Sequence, residues 1–174
     1  EKDYTIAMKM RDRVWNDPNF AAILSGADAK YETAAFWTYK GHWCKLKLDV
    51  ALPSVIVDLK TSSDASPRGF AQSVAKFGYH QQAASYKYGW SQASGAAIDT
   101  FLFLVIETNP PYAPAIYELD APSLAEGWAS WNAAIRLHTQ CVEANHFPAY
   151  AAEKVLLSLP DYSFAHTNRH YIAI

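Results

Sequence analysis

Two carboxylates and a lysine stand in a compact order in this chain: Asp49 closes "CKLKLD", and Asp58 and Lys60 lie in "VIVDLKTSSDAS" (55–66). Asp58 follows Asp49 by nine positions, and the lysine follows the second aspartate by two. In an extended strand, alternation puts Ile56, Asp58 and Lys60 on one face and Val55, Val57 and Leu59 on the other. Two carboxylates converging on one spot repel each other unless a cation lies between them. Mg²⁺ suits that place, because it takes oxygen ligands octahedrally and keeps several waters. Such an ion can neutralise a scissile phosphate and lower the pKa of a bound water. Lys60, on the same face, can orient that water or offset charge in the transition state. The chemistry on offer is metal-assisted hydrolysis of a phosphate ester. The competing reading is a solvated strand face, since D-x8-D-x-K is short enough to recur by chance.

The elements that must position these residues can be read from periodicity and turn signals. Residues 4–24 read as one or two helices interrupted at Asn16-Asp17-Pro18. "KYETAAFWTY" (30–39) reads as a strand. In "WCKLKLDVAL" (43–52), Cys44, Leu46, Leu48 and Val50 should face one way and Lys45, Lys47 and Asp49 the other. Pro53-Ser54 turns the chain into the strand of Asp58, so the two strands should form an antiparallel hairpin with Asp49 and Asp58 at facing ends. Ser66-Pro67 is an N-cap and first helical residue, opening a helix to about Tyr88 with Phe70, Val74 and Phe77 as its stripe. Strands at 100–107 and 114–120 and an amphipathic helix at 123–146 complete an α/β (α+β) domain with a mixed sheet between helices.

Composition limits the alternatives. A chain of 174 residues, 51% hydrophobic and 18% charged, suits a single globular domain, 1–174, with its core at about 29–120, a C-terminal helix at about 121–146 and a tail to 174. No apolar run approaches the roughly 20 residues that span a bilayer, so no membrane partner is expected. Two cysteines cannot build a disulfide framework or a four-cysteine cluster, and a reducing cytoplasm is the expected setting. The first residue is Glu1 and no signal peptide is visible, so a trimmed or excised chain is expected. The net charge is −2, yet residues 37–97 hold seven basic residues against Asp49, Asp58 and Asp64. A basic stretch enclosing a few acids is what a phosphate-binding face around a metal site needs. Lys45, Lys47 and Arg68 belong to it.

Two more features converge on the acids. Glu32, in "YETAAF", lies on a strand that can bring a third carboxylate to the hairpin. In "GYHQQAASYKYG", Gln82 and Tyr86 stand at i, i+4 on one helix face, away from the Phe70/Val74/Phe77 stripe. Taken together, Glu32, "CKLKLD", "VDLKTSSDAS" and "YHQQAASY", followed by "VIETNPPY" and "IYELD", resemble the PD-(D/E)XK nuclease superfamily. The closer likeness is to its RecE (exonuclease VIII)/lambda-exonuclease branch of phage and bacterial recombination exonucleases. The resemblance covers about 29–120 and extends loosely through the final helix. It departs at Leu48, where proline usually precedes the first aspartate, and at Asp58, where glutamate is commoner.

The resemblance implies a restriction-endonuclease-like core and particular roles. Asp49, Asp58 and the backbone carbonyl of Leu59 would hold Mg²⁺ or Mn²⁺, with Glu32 supporting the site. Lys60 would activate the attacking water. Gln82 and Tyr86 would hold the nucleic-acid end, with His80 nearby. The implied activity is exonucleolytic hydrolysis of DNA from duplex ends, 5′ to 3′, by a bacterial or phage-encoded ring trimer or tetramer working with a single-strand annealing protein. A restriction-like or structure-specific endonuclease, or a non-catalytic DNA- or protein-binding module, are the alternatives on the same fold. His166 and His170, at i, i+4, could suggest zinc but have no third ligand in view. Trp128 and Trp131 suit core packing better than base stacking.

Overall fold

The computed structural model describes residues 2–151, 153–160 and 163, and the chain divides into two compact units, 1–135 and 136–174. His166 and His170 lie outside the described residues. The elements are α1 (Lys2–Trp15), α2 (Pro18–Leu24), β1 (Lys30–Tyr39), β2 (His42–Ala51), β3 (Val55–Ser62), α3 (Pro67–Phe77), α4 (Tyr79–Ser94), β4 (Thr100–Glu107), β5 (Pro114–Glu118) and α5 (Ala121–Glu143).

The strands form one sheet in the order β1-β2-β3-β4-β5. Neighbours are antiparallel except for β3 and β4, which run parallel from Val55↔Thr100 to Ser62↔Glu107 across the α3–α4 crossover. Strands in such a position are covered on both faces, and β4 accordingly reads as the near-continuous apolar run "TFLFLVIE". This mixed sheet flanked by helices is the restriction-endonuclease-like α/β fold expected from the sequence. One apolar cluster, built around Leu46, Leu48, Ile56, Phe70, Phe101 and Phe103, fills the face covered by α3 and α4. A smaller one joins Phe20 and Leu24 of α2 to Val50, Val57 and Leu104 on the opposite face. Trp128 and Trp131 of α5 pack with Tyr39, as core residues should.

Local chemistry fixes the helix ends. Asp17 caps α2, accepting from the Asn19 and Phe20 amides. Ser66 Oγ accepts from the Gly69 amide 3.1 Å away, with Pro67 at the first helical position of α3. The single helix expected from 66 to about 88 is instead two. Gly78 takes the left-handed conformation (φ 69°), ends α3 and redirects the chain into α4. That turn also takes Phe77 off the buried stripe and leaves it exposed, while Phe70 and Val74 stay buried. Within 136–151, the end of α5 leads into an extended stretch where the His138 and Phe147 rings lie 6.2 Å apart.

Candidate active site

The site forms where the sheet opens. β2 and β3 pair at Val50↔Val57 and Ala51↔Ile56, and past that rung the ladder between them ends. Leu59 continues β3 beyond this point, and its amide donates to Asp49 Oδ2 at 2.7 Å. A carboxylate thus satisfies a backbone donor that the neighbouring strand no longer reaches. In doing so it points Asp49 into the opening between the strands.

The opening depends on a local break in alternation. Leu46 and Leu48 join the larger cluster, and regular alternation would send Val50 after them; Val50 instead packs with Phe20 and Leu24 on the other face. The expected common face of Cys44, Leu46, Leu48 and Val50 therefore ends at Leu48. β1 makes the same switch. Ala35 and Trp37 lie in the larger cluster, whereas the Tyr31 hydroxyl donates to the Leu24 carbonyl of α2. Both changes fall on the rung between Tyr31↔Val50 and Thr33↔Leu48, which is the rung of Glu32 and Asp49. Glu32 there has a φ of 49°. A non-glycine residue in that region costs on the order of 1–3 kcal/mol and is retained where its surroundings enforce it.

Asp58 is the buried member of the site, 4% exposed, on the face of β3 that meets α4. Gln82 Nε2 donates to its Oδ1 at 2.6 Å. The Lys60 ammonium forms an ion pair with Oδ2, but that oxygen accepts no well-formed hydrogen bond. Burial pushes the Asp58 carboxyl above the ordinary aspartate value; Lys60 and Gln82 partly oppose the shift, and the nearby Asp49 charge adds to it. The Lys60 side chain is itself largely buried, with Nζ 4.6 Å over the ring of Tyr79. The four groups Asp49, Asp58, Lys60 and Gln82 thus meet at the split end of β2 and β3.

This donor set fits a hard divalent cation. One oxygen of the buried Asp58 carboxylate meets only the Lys60 ammonium, and a second carboxylate is close enough to disfavour ionisation of the first. Among the described residues no three His, Cys, Asp or Glu side chains form a ready-made cage, so solvent would complete the shell. Glu32 stands across from Asp49, but its carboxylate is ion-paired with Lys47, raising the lysine's pKa. For Leu59, the described contact to the site is made by the amide rather than the carbonyl. Tyr86 packs half-buried against the larger cluster, while Gln82, one turn earlier, reaches the acid. His80 Nδ1 lies 3.3 Å from the Val74 carbonyl, joining the start of α4 to α3. Lys45 and Arg68 are exposed. Tyr79, whose i, i+3, i+7 spacing with Gln82 and Tyr86 suits a semi-buried packing face, does pack against the larger cluster, and its ring also lies beneath the Lys60 ammonium at the start of α4.

The profile of the PDDEXK-like domain of unknown function (DUF3799) matches residues 1–157. No curated protein matches the chain. Among solved structures, one described as a candidate exonuclease from Eubacterium rectale superposes with a TM-score of 0.70 at 18% identity, over 97% of this chain and 67% of its own. A second, SSO0001, gives a TM-score of 0.39 at 17% identity, over 76% of this chain and 58% of its own. Among the described residues no helix is long and apolar enough to cross a membrane.

Proposed function

Since the chain belongs to the family of PDDEXK-like domains (DUF3799) and has a nuclease-like fold, we propose that it is a divalent-metal-dependent exodeoxyribonuclease. It would hydrolyse phosphodiester bonds from the ends of duplex DNA, running 5′ to 3′, in recombination or repair. One observation carries the reading: at the split between β2 and β3, the Asp58 carboxyl is buried beside Lys60 and Asp49, and burial pushes it above its ordinary value. Burying an ionisable group that structure does not need is costly, and such groups concentrate where chemistry is done.

A divalent ion held by Asp49 and Asp58, Mg²⁺ or Mn²⁺, would neutralise charge on the scissile phosphate and acidify a bound water. Gln82 fixes the rotamer of Asp58 through Oδ1, which keeps Oδ2 turned to Lys60. The Leu59 amide does the same for Asp49. Lys60, held by Asp58 and Tyr79, would orient the attacking water or meet charge developing on the phosphate. Lys45 and Lys47 lie on the same side of β2 as Phe36 and Ala34 of β1, and would contact the DNA backbone there. A phosphate arriving at Lys47 would compete with Glu32, freeing that carboxylate to support the metal. The proposal extends to a ring-shaped homo-oligomer and a single-strand annealing partner, which would receive the strand that digestion exposes.

The test is digestion of linear and closed circular duplexes with and without Mg²⁺, beside Asp58→Ala and Lys60→Met. Linear DNA should be lost only with Mg²⁺, circles should survive, and each variant should lose at least about 100-fold in rate. Cleavage of circles would make the enzyme an endonuclease of the same fold. Equal loss of linear DNA with the variants would sink the assignment of these residues, and no Mg²⁺-dependent loss at all would sink the nuclease.

A further inference from the structure

A cavity of about 480 Å³ lies between α1 and the sheet, with the charged end of the site on its wall. Its roof is made by Ala7, Met10, Arg11, Val14 and Trp15, spaced i, i+3, i+4, i+7, i+8, the spacing of a helix face made to cover something apolar. Yet no described side chain of α1 is buried. Trp15 remains 49% exposed, and on the floor Tyr31 remains 55% and Leu59 47% exposed. A stripe with this period normally closes onto a core; here Val14 packs against the Phe20–Leu24 cluster while Trp15 stays half-exposed over the cavity. Glu32, Asp49 and Lys60 also line the cavity, so it is continuous with the site at the strand split.

We propose that this cavity receives one unstacked nucleobase of the strand being cut, from a nucleotide adjoining the scissile phosphate. The inference rests on the nuclease reading above and adds to it a subsite of defined chemistry. A nucleotide has one strongly charged part and one flat apolar part, linked by a single sugar. The phosphate belongs at Asp49, Asp58 and Lys60, and the base then has the apolar cavity within reach and two exposed rings, Trp15 and Tyr31, to stack on. The volume lies in the range of about 300–1,000 Å³ that small-ligand clefts occupy. A base enters such a pocket only after leaving its pair and its stack, which is easiest at a frayed end. The cavity therefore supplies a physical reason for a preference for ends over duplex interior.

The measurement uses the uncut complex of the Asp58→Asn protein with duplexes carrying three unpaired nucleotides at one end. Each of the three is replaced in turn by an abasic nucleotide, at the 5′ and then the 3′ end, and affinity is read by fluorescence anisotropy. One position should stand out, its abasic form binding about 5- to 150-fold more weakly, the range that loss of one stacked base allows. Adding Trp15→Ala should abolish that difference, and Trp15→Phe should restore most of it. Equal affinity for all abasic forms, in a protein whose unsubstituted form digests DNA ends, would overturn the pocket and leave the nuclease standing. An unsubstituted protein that digests no DNA would overturn the nuclease reading, and this inference with it.

Discussion

Asp58→Asn should abolish cleavage and yet stabilise the metal-free protein at neutral pH. Asp58 is 4% exposed, so the ionised carboxylate bears a desolvation cost of roughly 1–3 kcal/mol. The Lys60 ion pair, itself largely buried, offsets part of that. The direction of the pKa shift decides between them: the carboxyl sits above its ordinary value even with Lys60 and Gln82 beside it, so burial wins. Asparagine keeps the Gln82 contact at Oδ1 and removes the charge, for a net gain on the order of 1 kcal/mol. In a chain of this size that raises Tm by about 2–4 °C. The sign with pH follows from linkage. A raised folded-state pKa means the proton favours the folded protein, so Asp58 stabilises most below its unfolded value, and that stability is lost as pH rises through the folded value. The variant has no such loss. Thermal unfolding in EDTA should show parent and variant converging at about pH 4 and separating towards pH 8, with the variant higher. Mg²⁺ should reverse the order, since an ion at 100 times its Kd adds about 2.7 kcal/mol to the parent, which keeps both proposed carboxylate ligands. A variant less stable than its parent at pH 8 in EDTA, or a gap that ignores pH, would refute the reasoning.

Tyr79→Leu should remove the ring beneath Lys60 and slow Mg²⁺-dependent digestion by about 2- to 30-fold, the span of a cation–π contact of 0.5–2 kcal/mol, while Tyr79→Phe stays within about twofold of the parent. Thermal unfolding separates this from simple destabilisation: a Tyr79→Leu protein still fully folded at the assay temperature loses rate only through Lys60 positioning. Gly127→Ala places a Cβ 2.1 Å from the His80 carbonyl oxygen, forcing α5 off the start of α4; thermal unfolding should show a loss of about 1–3 kcal/mol, and an unchanged Tm would argue against that close crossing.

The alternation of "VIVDLK", the turn at Pro53-Ser54 and the Ser66-Pro67 cap are local signals, each decided by side-chain period or backbone restriction, and they suffice to place Asp58 and Lys60 together on a strand beside a helix. Gln82 stands out in the sequence by lying off the Phe70/Val74/Phe77 stripe of one expected long helix. That stripe belongs to α3 and Gln82 to α4, so its contact with Asp58 is a product of the tertiary fold. Where residues switch face was not legible. The period-2 pattern of β2 runs unbroken through Val50 in the sequence, but Phe20 and Leu24 of α2 claim Val50 for the opposite face. That competition involves residues about 30 positions apart, so no window of β2 contains it. The positive φ of Glu32, the end of the β2–β3 ladder and the capture of the Leu59 amide by Asp49 all follow from it. Composition and local order determined which groups are present and on which strands they lie. Only tertiary packing decided that two strands part at Asp49, because a strand's pairing ends where both faces cannot be satisfied at once, and there Asp49 and Asp58 come close enough to feel each other's charge.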